Sequence, residues 1–192
     1  MPLVKGMANS PRGKLLSAAA HLFREKGYER TTVRDIGAAV GIQSGSLFHH
    51  FATKEDILKA VMIDVIRFNT ARIEAALSAA EGPRARLRAL IACELESIVG
   101  DTREAMAVLV HCWGALSRQR QAEVLALRKA YEDTWLAVLG EAASAGVLVR
   151  VDPFVLRRLL AGMISWSNTW FDPRGTMSFE ALVDTVLGMA TG

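Results

Sequence analysis

Cysteine, proline and long apolar runs are all scarce in this chain of 192 residues. The two cysteines, Cys93 and Cys112, lie far apart and form no Cys-x-x-Cys pair. That excludes a disulfide framework and points to two free thiols in a reducing cytoplasm. No stretch approaches the roughly 18 uncharged apolar residues that a membrane-spanning helix needs, so no membrane partner is expected. Met1 to Ala20 contains no continuous apolar run leading to a cleavage site, so no signal peptide is expected. Sustained apolar/polar alternation of strand length is missing. So are the Gly-x-Ser-x-Gly elbow, a Gly-rich phosphate loop and His-Glu-x-x-His, which argues against an enzyme and gives no cofactor a motif to bind. His49-His50 and His111-Cys112 are sequence neighbours, and neighbours on a helix do not face the same way. No metal site is therefore expected, and His111-Cys112 reads as a buried structural pair.

Net charge is also small, at +3, but it is unevenly spread. Residues 1–54 carry eight basic side chains (Lys5, Arg12, Lys14, Arg24, Lys26, Arg30, Arg34 and Lys54) against Glu25, Glu29 and Asp35, which is 8 − 3 = +5. The remainder carries 15 − 17 = −2. A basic N-terminal unit suited to phosphates thus precedes a larger, mildly acidic one, with the boundary set at 54/55. A hydrophobic share of 51% is ample for a core.

The expected fold class is all-α. The prolines (Pro2, Pro11, Pro83, Pro153 and Pro173) all fit helix starts or connections. Helical spacing predicts a first helix over 11–26 and a short second one after Thr31-Thr32, with Gly41 breaking it. A third opens at Ser44-Gly45-Ser46 and a long fourth is capped by Thr53. A fifth covers 83–99. Asp101-x-x-Glu104 reads as a capping box for a sixth, reaching about Leu116. A seventh covers 119–145, an eighth runs from Pro153 to Phe171, and a ninth from Ser178 to about Ala190.

The two short helices around Gly41, with Ile36, Val40, Ile42 and Leu47 as packing positions, fit a helix-turn-helix. Gly41 supplies the turn, and Gln43, Ser44, Gly45 and Ser46 give the second helix a small, polar start that can approach base edges. Ile36, Leu47 and Phe51 read as core. The surrounding segment, AAHLFREKGYERTTVRDIGAAVGIQSGSLFHHFATKEDIL, resembles the N-terminal DNA-binding domain of the TetR family of transcriptional regulators. The layout agrees: a three-helix DNA reader, then a six-helix ligand-binding and dimerisation domain.

The resemblance implies particular roles. Thr32 would place its hydroxyl and N–H on a phosphate, with Arg34 near the same strand. Gln43, Ser44, Gly45 and Ser46 would face bases, with His49 and His50 following in the recognition helix. Lys54 would grip a phosphate as a point charge. Phe48 stands where the family usually has Tyr, so only an apolar contact, for example to a thymine methyl, is open to it.

Family members commonly bind a small effector in the C-terminal domain and then release DNA. Met106, Leu109, Val110, Trp113, Leu127, Tyr131, Trp135, Met163, Trp166 and Trp170 are either ordinary core or the lining of an adaptable apolar pocket. The implied effector is small and apolar or amphipathic. An acyl-CoA-like effector is suggested by Arg84, Arg86 and Arg88, although a solvated basic face is the better-supported reading of these three. It is suggested too by the ending TWFDPRGTMSFEALVD, which resembles members sensing acyl-CoA intermediates of lipid or steroid breakdown. For the homodimer that the family implies, Leu159, Leu160, Leu182, Val183 and Val186 would supply apolar faces, and Ala161, Gly162 and Ser165 a close approach. Two-fold symmetry would then demand a palindromic operator. The competing reading is a helical interaction adaptor without DNA binding.

Overall fold

The computed structural model describes residues 10–42, 47 and 51–192. Eight α-helices and no strand are found among them: α1 (Pro11–Lys26), α2 (Val33–Val40), α3 (Lys54–Ala79), α4 (Pro83–Val99), α5 (Arg103–His111), α6 (Arg118–Ser144), α7 (Pro153–Trp166) and α8 (Phe179–Thr191). Single 3-10 turns cover Trp113–Ala115 and Ser167–Thr169. The all-α expectation holds. The predicted third helix lies mostly outside the described residues, so α3 is the long helix that follows Thr53.

Local chemistry sets the helix boundaries. Ser10, Asp152 and Ser178 cap α1, α7 and α8 through side-chain oxygens that accept first-turn N–H groups. Thr32 and Asp35 form a reciprocal capping box at α2. Thr53 and Asp56 repeat that arrangement at α3, each side chain accepting from the other residue's backbone N–H. The Asp101/Glu104 expectation fails, because Thr102 is the cap residue of α5 and no side chain caps it. Two helices are shorter than the periodicity predicts: α5 stops at His111 and α7 at Trp166, each followed closely by a 3-10 turn. Apolar spacing survives such a tightening of the helix, so periodicity overran both ends.

The chain forms two compact units that interleave in sequence. One comprises the described residues of Met1–Phe68 with Asp101–Leu127; the other comprises Asn69–Gly100 with Arg128–Gly192. The 54/55 boundary follows charge, whereas the units follow packing.

In the first unit α1 packs on α2 and α5. Its core includes Leu16, Phe23, Ile36, Leu47, Leu58 and Val108, each nearly or fully buried. Burying side chains of this size contributes about 1.5–3 kcal/mol each. Polar side chains also link elements of this unit. Glu104 accepts from His21 (3.1 Å) and Arg24 (3.3 Å), Lys59 meets Glu123 at 2.9 Å, and Arg120 bridges Glu55 and Asp56. Arg12 pairs with Asp64.

In the second unit α4 packs on α7 and α8. Leu87, Leu90 and Ile91 meet a core that includes Leu160, Ile164, Val183 and Val186.

Candidate nucleic-acid interface and effector region

The N-terminus of α2 is built by its own cap. The Thr32 hydroxyl accepts from the Asp35 N–H at 3.1 Å and donates to Asp35 Oδ2 at 2.8 Å; the Thr32 N–H donates to the same carboxylate oxygen at 2.9 Å. These bonds hold the Asp35 carboxyl below its usual range, with the Lys26 ammonium at 3.7 Å adding to the effect. The two Thr32 donors expected to meet a phosphate are therefore engaged by Asp35. The first-turn N–H groups of Val33 and Arg34 remain, since no helical carbonyl precedes them. Arg34 is exposed beside them.

Thr31, fully buried, anchors the preceding loop by donating its hydroxyl to the carbonyls of Leu22 and Gly27. Lys54 has a different role from the predicted phosphate grip. Its ammonium donates to the carbonyls of Tyr28 (2.8 Å) and Glu29 (3.2 Å) and sits 4.2 Å from the centre of the Tyr28 ring. It clamps the loop that leads into α2.

The turn after α2 depends on two glycines. Gly41 takes the left-handed conformation at φ +71°, as its position predicts. Gly37, missed by sequence reasoning, lets the chain fold back: Ile42 N–H donates to the Gly37 carbonyl at 2.9 Å. A Cβ at Gly37 would lie 2.6 Å from the Ile42 carbonyl oxygen and 3.1 Å from Leu47 Cδ1. A glycine inside a short amphipathic helix was the available signal. Ile36, Leu47 and Phe51 are buried as expected. Gln43, Ser44, Gly45, Ser46, Phe48, His49 and His50 lie outside the described residues.

The ten residues proposed for a pocket do not share one compact unit. Met106, Leu109, Trp113 and Leu127 belong to the core of the first unit or pack against it. Val110 is 62% exposed. In the second unit Trp135 is fully buried, Tyr131 and Met163 are half-buried, and Trp166 and Trp170 are 68% and 53% exposed. Val110 and Trp166 face outward, because α5 and α7 bury only one side each, and Trp170 follows the 3-10 turn beyond α7. A cleft of about 520 Å³ does open in the first unit, lined by Phe23, Tyr28, Val108 and Cys112 among others, but by none of the ten. His111 is exposed and Cys112 half-buried, so they are not a buried pair. The arginines of α4 have intrachain partners: Arg84 donates to Thr191, Arg86 pairs with Glu141, and Arg88 with Glu180 and Asp184. They give no support to an acyl-CoA anion site.

The predicted dimer residues divide in two. Leu160, Leu182, Val183 and Val186 are 3% exposed or less and form the protomer's own core with α4. Leu159 is 61% exposed and Gly162 lies on the same outer face. That face continues through Val155 and Trp166 on α7, at helical spacing, and Met189 is 60% exposed on α8.

Comparison with known proteins agrees with this architecture. Residues 15–61 match the family model described as bacterial regulatory proteins, tetR family, and residues 80–192 match the tetracyclin repressor-like C-terminal domain. The chain is 31% identical over 186 residues to the HTH-type transcriptional repressor KstR2 of Mycolicibacterium smegmatis, covering 95% of this chain and 90% of that one. The crystal structure of a protein described as superantigen PfiT is 56% identical, with a TM-score of 0.82, covering 95% of this chain and 97% of that one. The structure of AibR in complex with isovaleryl coenzyme A and operator DNA is 26% identical, with a TM-score of 0.83, covering 95% and 98%. The two matching models together span both the helix-turn-helix and the helices that follow it, and the chain belongs to the TetR family of bacterial regulatory proteins.

Proposed function

We propose that this protein is a ligand-responsive transcriptional repressor that binds a palindromic operator as a homodimer and is released by a small apolar or amphipathic effector. Residues 1–54 serve as the reader, and 55–192 hold the effector and the partner subunit. The carrying observation is the family match over both parts of the chain. The reading assigns no reaction to the protein and places its work in the cytoplasm.

In this reading the N–H groups of Val33 and Arg34 and the Arg34 guanidinium meet phosphate. Gln43, Ser44, Gly45, Ser46, Phe48, His49 and His50 face the major groove. Lys54 is chiefly a positioning residue, although an ammonium has three N–H donors and two are used on carbonyls. Thr32 acts by fixing the start of α2. The dimer is formed by the outer face of α7 and α8, with Val155, Leu159, Gly162, Trp166 and Met189 replacing the buried residues first proposed.

An acyl-CoA thioester effector is a narrower version of this reading. It draws support from the isovaleryl coenzyme A held by AibR, which is similar in fold. Ligand and DNA need only prefer different conformations of the dimer, and their coupling must then be reciprocal.

Selection of bound duplexes from a random DNA pool by the purified protein tests the core of this proposal. The expected product is a palindrome with half-sites about one helical turn apart, roughly 34–36 Å. Absence of any enriched sequence would overturn it. The 56% identity to the protein described as a superantigen favours a second reading, in which the folded protein stimulates T cells. A proliferation assay with endotoxin-free protein tests that independently; no response above buffer removes it.

A further inference from the structure

The second unit contains a buried charged cluster around Glu94 and Arg157, two residues that none of the roles above uses. Glu94 of α4, Tyr131, Glu132 and Trp135 of α6, and Arg157 of α7 meet there. Glu94 and Arg157 are only 7% and 6% exposed, and Trp135 is fully buried. Glu94 Oε2 accepts from the Tyr131 hydroxyl and from Trp135 Nε1 at 3.2 Å. Arg157 Nη2 lies 3.6 Å from Glu94 Oε1, and Arg157 Nε donates to Glu132 Oε2 at 3.0 Å. The guanidinium carbon stands 4.3 Å from the centre of the Trp135 ring. The guanidinium is thus fixed on three sides. Its remaining nitrogen, Nη1, is buried and has no acceptor among the described residues. Buried donors are rarely left so, because an unmade hydrogen bond away from water is costly.

The charges around Nη1 restrict what it can take. Two carboxylates already face one guanidinium, so a third carboxylate or a phosphate would enter a negative surround. An ammonium would face the guanidinium directly. A neutral oxygen acceptor satisfies Nη1 without either conflict. The Trp135 ring, 4.3 Å from the guanidinium carbon, is the apolar surface at that end of the cluster.

We propose that Arg157 Nη1 is the polar end of the effector site and receives a neutral carbonyl oxygen carried on an apolar body, as in a ketone or a thioester. This rests on the ligand-responsive reading above and names the chemistry its effector presents. Glu94 and Glu132 are positioning residues: they hold the guanidinium and reject anionic head groups at that point. Tyr131 and Trp135 hold Glu94 in turn.

The test uses the full-length dimer and paired probes measured by titration calorimetry and thermal shift. Hexanoyl-CoA is compared with S-hexyl-CoA, which lacks the carbonyl, and methyl hexyl ketone with its methylene isostere. The two pairs separate a thioester source from a free ketone. At least one carbonyl probe is expected to bind about tenfold tighter than its partner, the scale of one buried hydrogen bond to a charged group. That preference should fall to about onefold in Arg157→Lys, which keeps the charge and loses the fork. Arg157→Met is made alongside, and circular dichroism reports whether either variant folds. If both variants fail to fold, Glu132→Gln carries the test. It relaxes the exclusion of anions, so hexanoate should gain affinity relative to methyl hexyl ketone. Equal binding of carbonyl and carbonyl-free probes would overturn the Arg157 assignment while leaving an effector site intact. Unchanged preference in a folded Arg157→Lys or Glu132→Gln protein would do the same. Binding of neither pair would overturn the assignment together with the apolar effector reading.

Discussion

Gly37 shows how a single residue can decide whether the reader assembles. Alanine is ordinarily about 1 kcal/mol better than glycine inside a helix. Here the added carbon would meet a backbone carbonyl at 2.6 Å, which cannot swing aside as a side chain can. Overpacking of this kind costs about 1–3 kcal/mol and outweighs the propensity gain. Gly37→Ala should therefore lower Tm and weaken operator binding. Gly140, with open space around its Cβ position in α6, should respond oppositely when changed to Ala, rising by about 0.5–1 kcal/mol. Differential scanning calorimetry of the two variants checks this; a more stable Gly37→Ala would refute the close approach.

The two tyrosines give a second test at the residue scale. Burial and the neighbouring Glu94 push the Tyr131 phenol well above its ordinary value of 10.0, and burial pushes Tyr28 up as well. A raised phenol stabilises the fold fully below the unfolded value, and that contribution is lost as pH climbs above it. Phenolate absorbance of the native protein should therefore rise at higher pH than that of the unfolded chain, with Tyr131 last, and stability should decline over the same window. Tyr131→Phe should remove the later step. A normal phenolate titration from both tyrosines would contradict the buried Tyr131–Glu94 contact.

At the scale of elements, α7 is the instructive case. Its apolar residues are too many for one face: Leu156, Leu160 and Ile164 pack inward, while Val155, Leu159 and Trp166 stay outside. Periodicity marks such a helix as apolar but does not say which stripe faces its own chain. That is why Leu160 was placed at a dimer interface and Trp166 in a pocket. The caps were easier to read. Thr32 and Thr53 act within a few residues of themselves, so no distant partner is needed to recognise them. The outer stripe leads to a direct expectation: Leu159→Glu should convert the dimer to a monomer by light scattering at micromolar concentration without lowering helix content. Leu160→Glu should instead unfold the second unit, because it buries a charge in the core. A Leu159→Glu protein that stays dimeric would move the interface elsewhere.

Across the whole molecule, the charge imbalance carries the remaining prediction. Operator affinity should fall steeply with salt, with a log–log slope steeper than about −4 for a dimer whose two readers each displace several counterions. A slope near zero would argue for the adaptor reading. Part of the reader's positive charge is spent inside the molecule. Arg12 and Arg24 pair with Asp64 and Glu104, carboxylates outside residues 1–54, so the formal +5 overstates what faces phosphate.

Local physics was enough to read the all-α class, most helix starts and the charge division from sequence, while the helix-turn-helix needed the family resemblance as well. Apolar period, caps and proline constraints act over one or two turns, and charge needs only counting. Which apolar stripe is core, which arginines are paired, and the meeting of Glu94, Tyr131 and Arg157 across some sixty residues of sequence were decided by packing. Such contacts join positions whose separation carries no periodic signal, so only the folded chain brings them together.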